Sequence, residues 1–170
     1  MVGADRGEAL RADKEAYQVH VQPDMRLTLH SDYALRLLML LAMEPDGLHT
    51  IEQVARRYGI SRNHLMKVAQ TLAQAGFIDS LRGRGGGLRL ARAAASINLG
   101  AVLRATEDSF ALVECFDRER NTCIVAPACG LRGPLDEALR AFLGVLDRYS
   151  LADLIGTPAS LRRMRQLLAG

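Results

Sequence analysis

The sequence lacks tryptophan, and only 5% of its residues are aromatic although 49% are hydrophobic. A core without large rings is typical of aliphatic helix packing rather than of a β-sandwich. The longest apolar run, Leu37 to Met43, is too short to span a bilayer, and the first twenty residues contain no apolar signal-peptide core. We therefore expect a cytoplasmic protein with no membrane partner, whose length suits one domain with an added element.

Recognisable catalytic motifs are missing as well. The sequence has no Gly-x-Ser-x-Gly elbow and no zinc-protease motif. The glycine run at 83–87 lacks the Lys-Ser/Thr pair of a phosphate-binding P-loop, and a strand rather than a helix follows it. No histidine is paired with a carboxylate or thiol at a known motif spacing; the four are His20, His30, His49 and His64. The sequence thus predicts a protein that is not an enzyme.

Cysteine is scarce, and its distribution is informative. All three cysteines, Cys115, Cys123 and Cys129, lie in the polar segment 114–130, which has neither helical nor alternating apolar periodicity. A cysteine that serves as a core hydrophobe normally lies on an apolar stripe. An odd number of thiols in a reducing compartment favours metal binding over disulfides. Zinc sites usually contain a C-x₂₋₄-C pair, and this chain has none.

Residues 25–93 have the pattern of a winged helix-turn-helix. A first helix ends in the turn 44–47, and Thr50 and Gln53 form a capping box for a short helix that Gly59 terminates. Ser61 is placed to cap the next helix, and two alternating segments around the glycine run predict a β-hairpin. We expect a mainly α fold with this small hairpin. Residues 1–24 are predicted to form a disordered or loosely helical extension, and Met25 offers an alternative start.

The rest of the chain is predicted to hold a loop and three helices. Residues 94–156 contain a short helix from Leu99 to Ala105, capped by Asn98 or Ser96, the cysteine loop, and a long amphipathic helix over 131–149. The apolar face of the long helix suits packing against the same helix of a second subunit. Burial within its own chain is the alternative, which stays open. Residues 157–170 are predicted to form a basic, exposed tail helix.

Positive charge is concentrated where a helix-turn-helix meets DNA. Between Arg56 and Arg92 there are eight basic residues and a single acid, Asp79. The start of the second helix enters the major groove, where Arg reads guanine and Asn reads adenine, while Ser and Lys suit phosphates. For His64, a capping or solvated role is an equally good interpretation. The candidate DNA contacts are Thr50, Ser61, Arg62, Asn63, His64, Lys67, Arg82, Arg84, Gly85 and Gly86.

Several stretches resemble one known family. MRLTLHSDYALRLL at 25–38, ISRNHLMKV at 60–68, RGRGGGLRLAR at 82–92, and FALVECF…C…PACGLRG within 110–133 are similar to the Rrf-type winged-helix repressors that carry an iron–sulfur cluster. The resemblance covers about residues 25–156 and is strongest to the nitric-oxide-sensing members. One departure is the seven-residue gap between the first two cysteines, which equals that of the iron-responsive repressors.

The resemblance implies a homodimer that binds a palindromic operator in double-stranded DNA and takes nitric oxide as its signal. Each cluster, a [4Fe-4S] in preference to a [2Fe-2S], would be held by Cys115, Cys123 and Cys129 and by an aspartate of the partner subunit, which matches Asp32 here. Thiolates do select iron–sulfur clusters or zinc. Without the resemblance, Asp32 would be interpreted as a helix N-terminal acid favoured by the macrodipole.

Two alternatives remain from the sequence. A repressor of the same family can respond to iron or redox state instead of nitric oxide. In a different class, a zinc-stabilised module can use a winged helix to contact protein.

Overall fold

The computed structural model describes residues 26–169, and the extension expected over residues 1–24 lies outside this range. Seven helices and two strands follow one another within it. In order they are α1 (Leu29–Met43), α2 (Ile51–Tyr58), α3 (Arg62–Gln74), β1 (Ile78–Leu81), β2 (Gly87–Leu90), α4 (Leu99–Thr106), α5 (Arg132–Leu146), α6 (Leu151–Ile155) and α7 (Pro158–Ala169). No helix among the described residues is long and apolar enough to cross a membrane.

Local hydrogen bonds set the helix boundaries. The Thr28 hydroxyl accepts from the Ser31 amide at 3.2 Å and starts α1. The predicted capping box is present: the Gln53 amide donates to Thr50 Oγ1 at 3.2 Å and the Thr50 amide to Gln53 Oε1 at 2.8 Å. Gly59 ends α2 with a φ of 63°, in the left-handed region. Ser61 occupies the cap position of α3, but its side chain forms no capping hydrogen bond, so that part of the prediction is wrong.

The β-hairpin forms the wing of the winged helix. Strands β1 and β2 pair antiparallel with Ile78 opposite Leu90 and Leu81 opposite Gly87. A short third element joins them, because His49 and Leu88 exchange backbone hydrogen bonds of 3.1 and 2.9 Å. The mainly α winged-helix fold is therefore confirmed. The bridge at His49 additionally ties the turn before α2 to the sheet.

One hydrophobic core lies behind these elements. Helix α1 runs through its centre and buries Leu37, Leu38, Leu40 and Leu41 almost completely. Helices α3, α4 and α6 all pack against α1, so the chain returns to the winged helix after α5 to complete the core. Asn98 caps α4 by accepting from the Ala101 amide at 3.0 Å, as one of the two predicted candidates.

The last part of the chain differs from expectation in two respects. Helix α5 ends at Leu146 rather than 149, because the residues after it turn back and Ser150 forms a bridge with Asn98. Helix α7 is not exposed on all sides as expected, since part of its surface packs against the core. Between α4 and α5 the chain forms a long loop with two single 3₁₀ turns, Glu114–Phe116 and Ala126–Ala128.

Candidate nucleic-acid interface and cysteine loop

The start of α3 presents polar side chains outward. Ser61, Arg62, Asn63, His64 and Lys67 are all exposed. The opposite face of the helix is anchored in the core by side chains that are almost completely buried: Leu65, Val68, Ala69 and Leu72. Helical periodicity separates these two faces, so the hydrophobic effect that seats α3 also fixes the direction of its hydrogen-bonding groups. The structure brings these five predicted contacts together on one surface.

His64 lies against α1 rather than at the helix cap. Its ring centroid is 6.2 Å from that of Tyr33, with the planes tilted by 33°. The two rings border a shallow apolar pocket of about 220 Å³ between α1 and α3. Nearby, His30 Nε2 is 3.1 Å from the Thr71 hydroxyl, which also connects α1 to α3. The capping role considered for His64 therefore has no support, while its exposure is compatible with both solvation and a DNA contact.

The wing is a tight turn that depends on its glycines. Gly83 and Gly85 have φ values of 100° and 80°, which side chains rarely allow. A Cβ on Gly86 would overlap the carbonyl oxygen of Leu81, so no side chain fits there without a backbone shift. Arg84 is exposed at the tip between these glycines. The predicted wing residues Arg82, Arg84, Gly85 and Gly86 are thus held in one projecting turn.

Ion pairs divide the basic residues into two groups. Arg57 pairs with Glu44 at 2.7 Å, Arg89 with Asp79 at 3.1 Å, and Arg56 with Glu52 at 3.6 Å. The other five basic residues between Arg56 and Arg92 form no salt bridge with any residue of the described chain, and these are Arg62, Lys67, Arg82, Arg84 and Arg92. Arg92, just after β2, lies over the Phe77 ring at 4.8 Å from its centroid. The uncompensated charge coincides with the start of α3 and the wing. Thr50, the remaining candidate, is exposed, and its hydroxyl oxygen is engaged in the capping box.

Hydrogen bonds from polar side chains hold the cysteine loop in its conformation. The backbone amide and the hydroxyl of Thr122 both donate to the Glu114 carboxylate, the hydroxyl at 2.7 Å. The Thr122 hydroxyl, followed by its amide, accordingly lowers the pKa of Glu114 below the ordinary value. Asp117 Oδ1 accepts from the Glu119 amide at 3.0 Å, and Asn121 Oδ1 accepts from the Cys123 amide at 3.1 Å. The loop is therefore ordered by local hydrogen bonds and not by a core.

The three cysteines are free thiols of intermediate exposure. Within residues 26–169, no group of three or more His, Cys, Asp or Glu side chains lies close enough to hold a metal ion. The donor chemistry fits an iron–sulfur cluster or zinc, since both take thiolates. Within the described residues of one chain, Cys115, Cys123 and Cys129 do not converge on a site for a single metal ion.

Asp32 lies on a different element from the cysteines. It is in the first turn of α1 with its side chain 39% exposed, and the Arg36 guanidinium holds both of its oxygens, Nε at 3.0 Å and Nη2 at 2.7 Å. This arrangement agrees with the interpretation of Asp32 as a helix N-terminal acid. A metal bound to Asp32 would compete with Arg36 for the carboxylate oxygens.

Sequence reasoning missed the junction between α4 and α5. Arg104 forms a bidentate pair with Asp147, with distances of 2.6 and 2.8 Å. This pair lowers the pKa of Asp147 and raises the pKa of Arg104 relative to their ordinary values, the hydrogen bonds between them being the first cause. Asn98 Nδ2 donates to the Asp147 carbonyl at 2.7 Å. A Cβ on Gly100 would overlap Asp147 Oδ1, and a glycine inside a helix was the only available sequence signal.

The other end of α4 is attached to the start of α1. The buried hydroxyls of Ser31 and Thr106 lie 2.8 Å apart. Glu107 Oε1 accepts from the Thr28 amide at 2.9 Å. Helix α4 therefore bridges the end of α5 and the first turn of α1, where Asp32 lies, and it also packs on α3.

Comparison with known proteins adds an independent line of support. Residues 27–157 match the Rrf2 family model, described as an iron-dependent transcriptional regulator. The chain is 48% identical over 144 residues to the HTH-type transcriptional regulator NsrR of Bacillus subtilis, a match that covers 84% of this chain and 99% of that protein. It is 50% identical over 144 residues to NsrR of Halalkalibacterium halodurans, with the same coverage.

The fold of this chain is similar to those of several solved structures. IscR from T. potens superimposes with a TM-score of 0.62 at 23% identity and covers 78% of this chain and 87% of its own. CymR, the global cysteine regulator of B. subtilis, gives a TM-score of 0.61 at 24% identity, covering 76% of this chain and 95% of its own. At these identities the likeness concerns the fold alone.

Proposed function

The chain belongs to the Rrf2 family of transcriptional regulators, and from this premise we propose that it is a homodimeric repressor that senses nitric oxide through an iron–sulfur cluster. Family membership makes it a DNA-binding transcriptional regulator and not an enzyme. The finer parts of the proposal are the operator contacts, the dimer, the cluster and the signal. We place this activity in the cytoplasm, where the operator is accessible.

The exposed, unpaired cations carry the proposed DNA contacts. With α3 in the major groove, Arg62 and Asn63 are positioned to read base edges, while Ser61 and Lys67 face the phosphates. Arg84 projects from the wing toward a phosphate or the adjacent minor groove. Thr50, at the start of α2, lies where the first helix of the motif meets the backbone. The operator is double-stranded and palindromic because two such units act together.

Helix α5 supports the homodimer. Its 15 residues include no buried side chain, although it carries an apolar stripe. Phe142 and Val145 of the helix, and Tyr149 three residues after its end, are all nearly half exposed. Apolar surface of this kind is stabilised by removal from water, and a second copy of the same helix offers a matching stripe. A dimer also places two α3 helices on one duplex, with half-sites about 34 Å apart.

Cys115, Cys123 and Cys129 are the proposed cluster ligands, and Asp32 of the partner subunit is the proposed fourth. The resemblance to NsrR proteins and the thiol chemistry support this set. Three cysteines leave one position of the cluster for a non-thiolate ligand. We propose a [4Fe-4S] in preference to a [2Fe-2S], as the resemblance to nitric-oxide-sensing members implies. When bound, the cluster would supply an iron that nitric oxide can reach. An oxygen ligand such as Asp32 binds iron more weakly than a thiolate does, so the iron that it holds would be the one most accessible to nitric oxide.

Helix α4 is the element through which the loop can affect DNA binding. The cysteine loop leaves the carboxyl end of α4. The chain returns through α5 to the amino end of α4, where Asp147 lies beside Asn98 and Gly100 and pairs with Arg104 from the last turn of α4. Because α4 packs on both α1 and α3, a displacement of α4 would change the position of the recognition helix. A signal acts only as far as it favours one of two conformations over the other.

A second candidate is an iron- or redox-responsive repressor. The family model is described as iron-dependent, and the first cysteine gap is that of iron-responsive members. The zinc-stabilised interaction module is disfavoured, since the chain belongs to a family of DNA-binding regulators.

Anaerobic purification followed by titration decides between the candidates. A duplex selected from a random pool by the holo-protein serves as the operator, and its affinity is measured while nitric oxide is added and absorbance is followed. We expect the absorbance and the operator affinity to change together when less nitric oxide than protein has been added. Loss of affinity only after iron chelation would favour the second candidate, and indifference to both treatments would contradict sensing by this site.

A further inference from the structure

Helix α7 is a basic helix that the family match does not include. The match ends at residue 157, and α7 runs from Pro158 to Ala169. It contains three arginines, Arg162, Arg163 and Arg165, and no acidic residue. Its charge is therefore uncompensated within the helix itself, in contrast to α2 and α5, where Glu52 and Asp136 pair with arginines one turn away.

This helix is docked on the winged helix. Leu161, Met164 and Leu168, which recur at i, i+3 and i+7, pack against the hydrophobic core. The Arg165 guanidinium donates to the carbonyl oxygen of Met43, at the end of α1. Helix α7 also contacts α2. Side-chain packing and a hydrogen bond together fix which face of α7 points outward.

The outward face adds to an existing basic surface. Arg162 and Arg163 are exposed and form no salt bridge with a described residue. Helix α2, against which α7 packs, carries the exposed residues Arg56 and Arg57. Their partners, Glu52 and Glu44, compensate that pair in part. Adding α7 therefore turns a nearly neutral helix surface into a cationic one.

The position of α2 indicates the ligand. In a helix-turn-helix, the first helix crosses the DNA backbone while the second enters the groove. A cationic helix packed beside that first helix lies next to the path of the flanking phosphates. Phosphate contacts of this kind strengthen binding without reading sequence.

We propose that α7 is an additional phosphate-binding element, in which Arg162 and Arg163 contact the DNA backbone outside the reach of the wing and the recognition helix. The inference rests on the DNA binding of the winged helix and extends its footprint to a segment outside the family match. It makes no use of the cluster, so it holds for the loaded and unloaded protein alike.

The test is the salt dependence of DNA affinity in the double variant Arg162→Gln/Arg163→Gln. The slope of log K against log[salt] falls by about 0.9 for each phosphate that is no longer neutralised, so we expect a decrease of roughly 2 per subunit. The weakening should be equal on the selected duplex and on a random duplex of the same length. The matched control is Arg118→Gln/Arg120→Gln, which removes the same charge from the exposed cysteine loop and should leave the slope nearly unchanged.

The outcomes separate this proposal from its premise. An unchanged slope in the α7 variant, or a decrease equal to that of the control, would overturn the proposal, and the first result would suggest that the surface binds an acidic protein instead. Thermal unfolding verifies that both variants retain the wild-type fold, as expected for exposed side chains. If the wild-type chain shows no salt-dependent affinity for DNA, the premise and the proposal fail together. A reduced slope in the α7 variant alone supports it.

Discussion

In the winged helix, the apolar side chains of α1 and α3 are buried within a single chain, whereas those of α5 stay accessible. Leu37, Leu65 and Leu72 have no exposed surface. Between Glu107 and Ser150, a range that the structure describes throughout, no residue is buried. Both regions have amphipathic patterns, so the pattern alone does not determine where an apolar face is buried.

The difference separates two sources of stability. Residues 29–106 owe their order to a core that one chain completes with help from α6. The cysteine loop and α5 depend on local hydrogen bonds and on the junction between Arg104 and Asp147. We infer that the first region is stable by itself and that the second gains its stability from association and ligation. Regions of low local stability are commonly the ones that move in regulation.

Matched leucine truncations should give the largest contrast. Leu37→Ala removes a fully buried side chain of α1 and should cost about 3 kcal/mol of unfolding free energy, through reduced burial and a cavity. Leu139→Ala, on the half-buried stripe of α5, should cost less than about 1 kcal/mol at low protein concentration but should weaken the dimer.

Urea unfolding at two protein concentrations, with sedimentation to measure the dimer, distinguishes these effects. The effect of Leu37→Ala should persist at both concentrations, and that of Leu139→Ala should grow with concentration. An equally large, concentration-independent loss for Leu139→Ala would mean that α5 is an ordinary core helix, which was the alternative from the sequence.

Variants of the DNA-contacting surface come next in size. Asn63→Ala should remove about 2 kcal/mol of discrimination at one base position, since the alanine cannot form the two hydrogen bonds to adenine. Arg84→Ala should weaken binding on all sequences by a smaller amount and reduce the salt slope by about 0.9. Arg118→Ala in the cysteine loop is the control from the second region and should do neither.

Competition assays with a panel of single-base operator variants, repeated across salt concentrations, measure both quantities. If Asn63→Ala and Arg84→Ala lose affinity equally on selected and random duplexes, the assignment of base reading to α3 is wrong. A large effect of Arg118→Ala would extend the DNA surface into the loop.

Glycine substitutions test how tightly each region is built. Gly86→Ala would place a methyl group against the Leu81 carbonyl and should destabilise the wing by about 1 kcal/mol or more. Gly133→Ala, at the start of α5, meets no atom within 4 Å and should be neutral or slightly stabilising. Hydrogen exchange of the β1 and β2 amides measures the effect; equal protection in the two variants would mean that the wing relaxes freely.

The features that the sequence predicted well are those decided within a few residues. The capping box of Thr50 and Gln53 and the hairpin around the glycine run depend on neighbours along the chain. Ser61 is an exception even among these local features. It occupies the cap position of α3, as its residue type predicts, but its side chain forms no capping hydrogen bond. Local chemistry determines the type of element and its approximate ends.

The features that the sequence did not predict depend on the path of the chain. Arg104 and Asp147 are 43 residues apart, and Gly100 gave only a faint indication of their contact. The packing of α7 on the core was missed for the same reason. Residue types indicated the three cysteines as candidate ligands, and that assignment stays a prediction. Within the described residues they do not converge on a site for a single metal ion, and no pattern along the chain specifies how three thiols on one loop are arranged in space.

The smallest expected effect concerns the junction that joins the two regions. Because Arg104 donates two hydrogen bonds to Asp147, the pKa of that carboxyl lies below its ordinary value of about 4. Because the pKa of Asp147 is lower in the folded protein, its charged form stabilises the junction at pH values above the ordinary pKa. This stabilisation is lost as the pH falls through the lower pKa of the folded state. Arg104→Gln should therefore raise the pKa of Asp147 toward the ordinary value and remove this acid sensitivity.

Carboxyl-detected NMR titration of Asp147 measures the change, with Arg140→Gln on the exposed side of α5 as the matched control that should leave it unaltered. Both side chains of the pair are partly exposed, so solvent screens the interaction and the variant should unfold nearly as the wild type does. If the Asp147 pKa is the same in Arg104→Gln, the ion pair does not persist in solution. The two regions would then be joined by uncharged hydrogen bonds, from Asn98 Nδ2 to the Asp147 carbonyl at 2.7 Å and from the Leu99 amide to the Tyr149 carbonyl at 3.0 Å. Helix α4 would transmit movement of α5 without any contribution from charge.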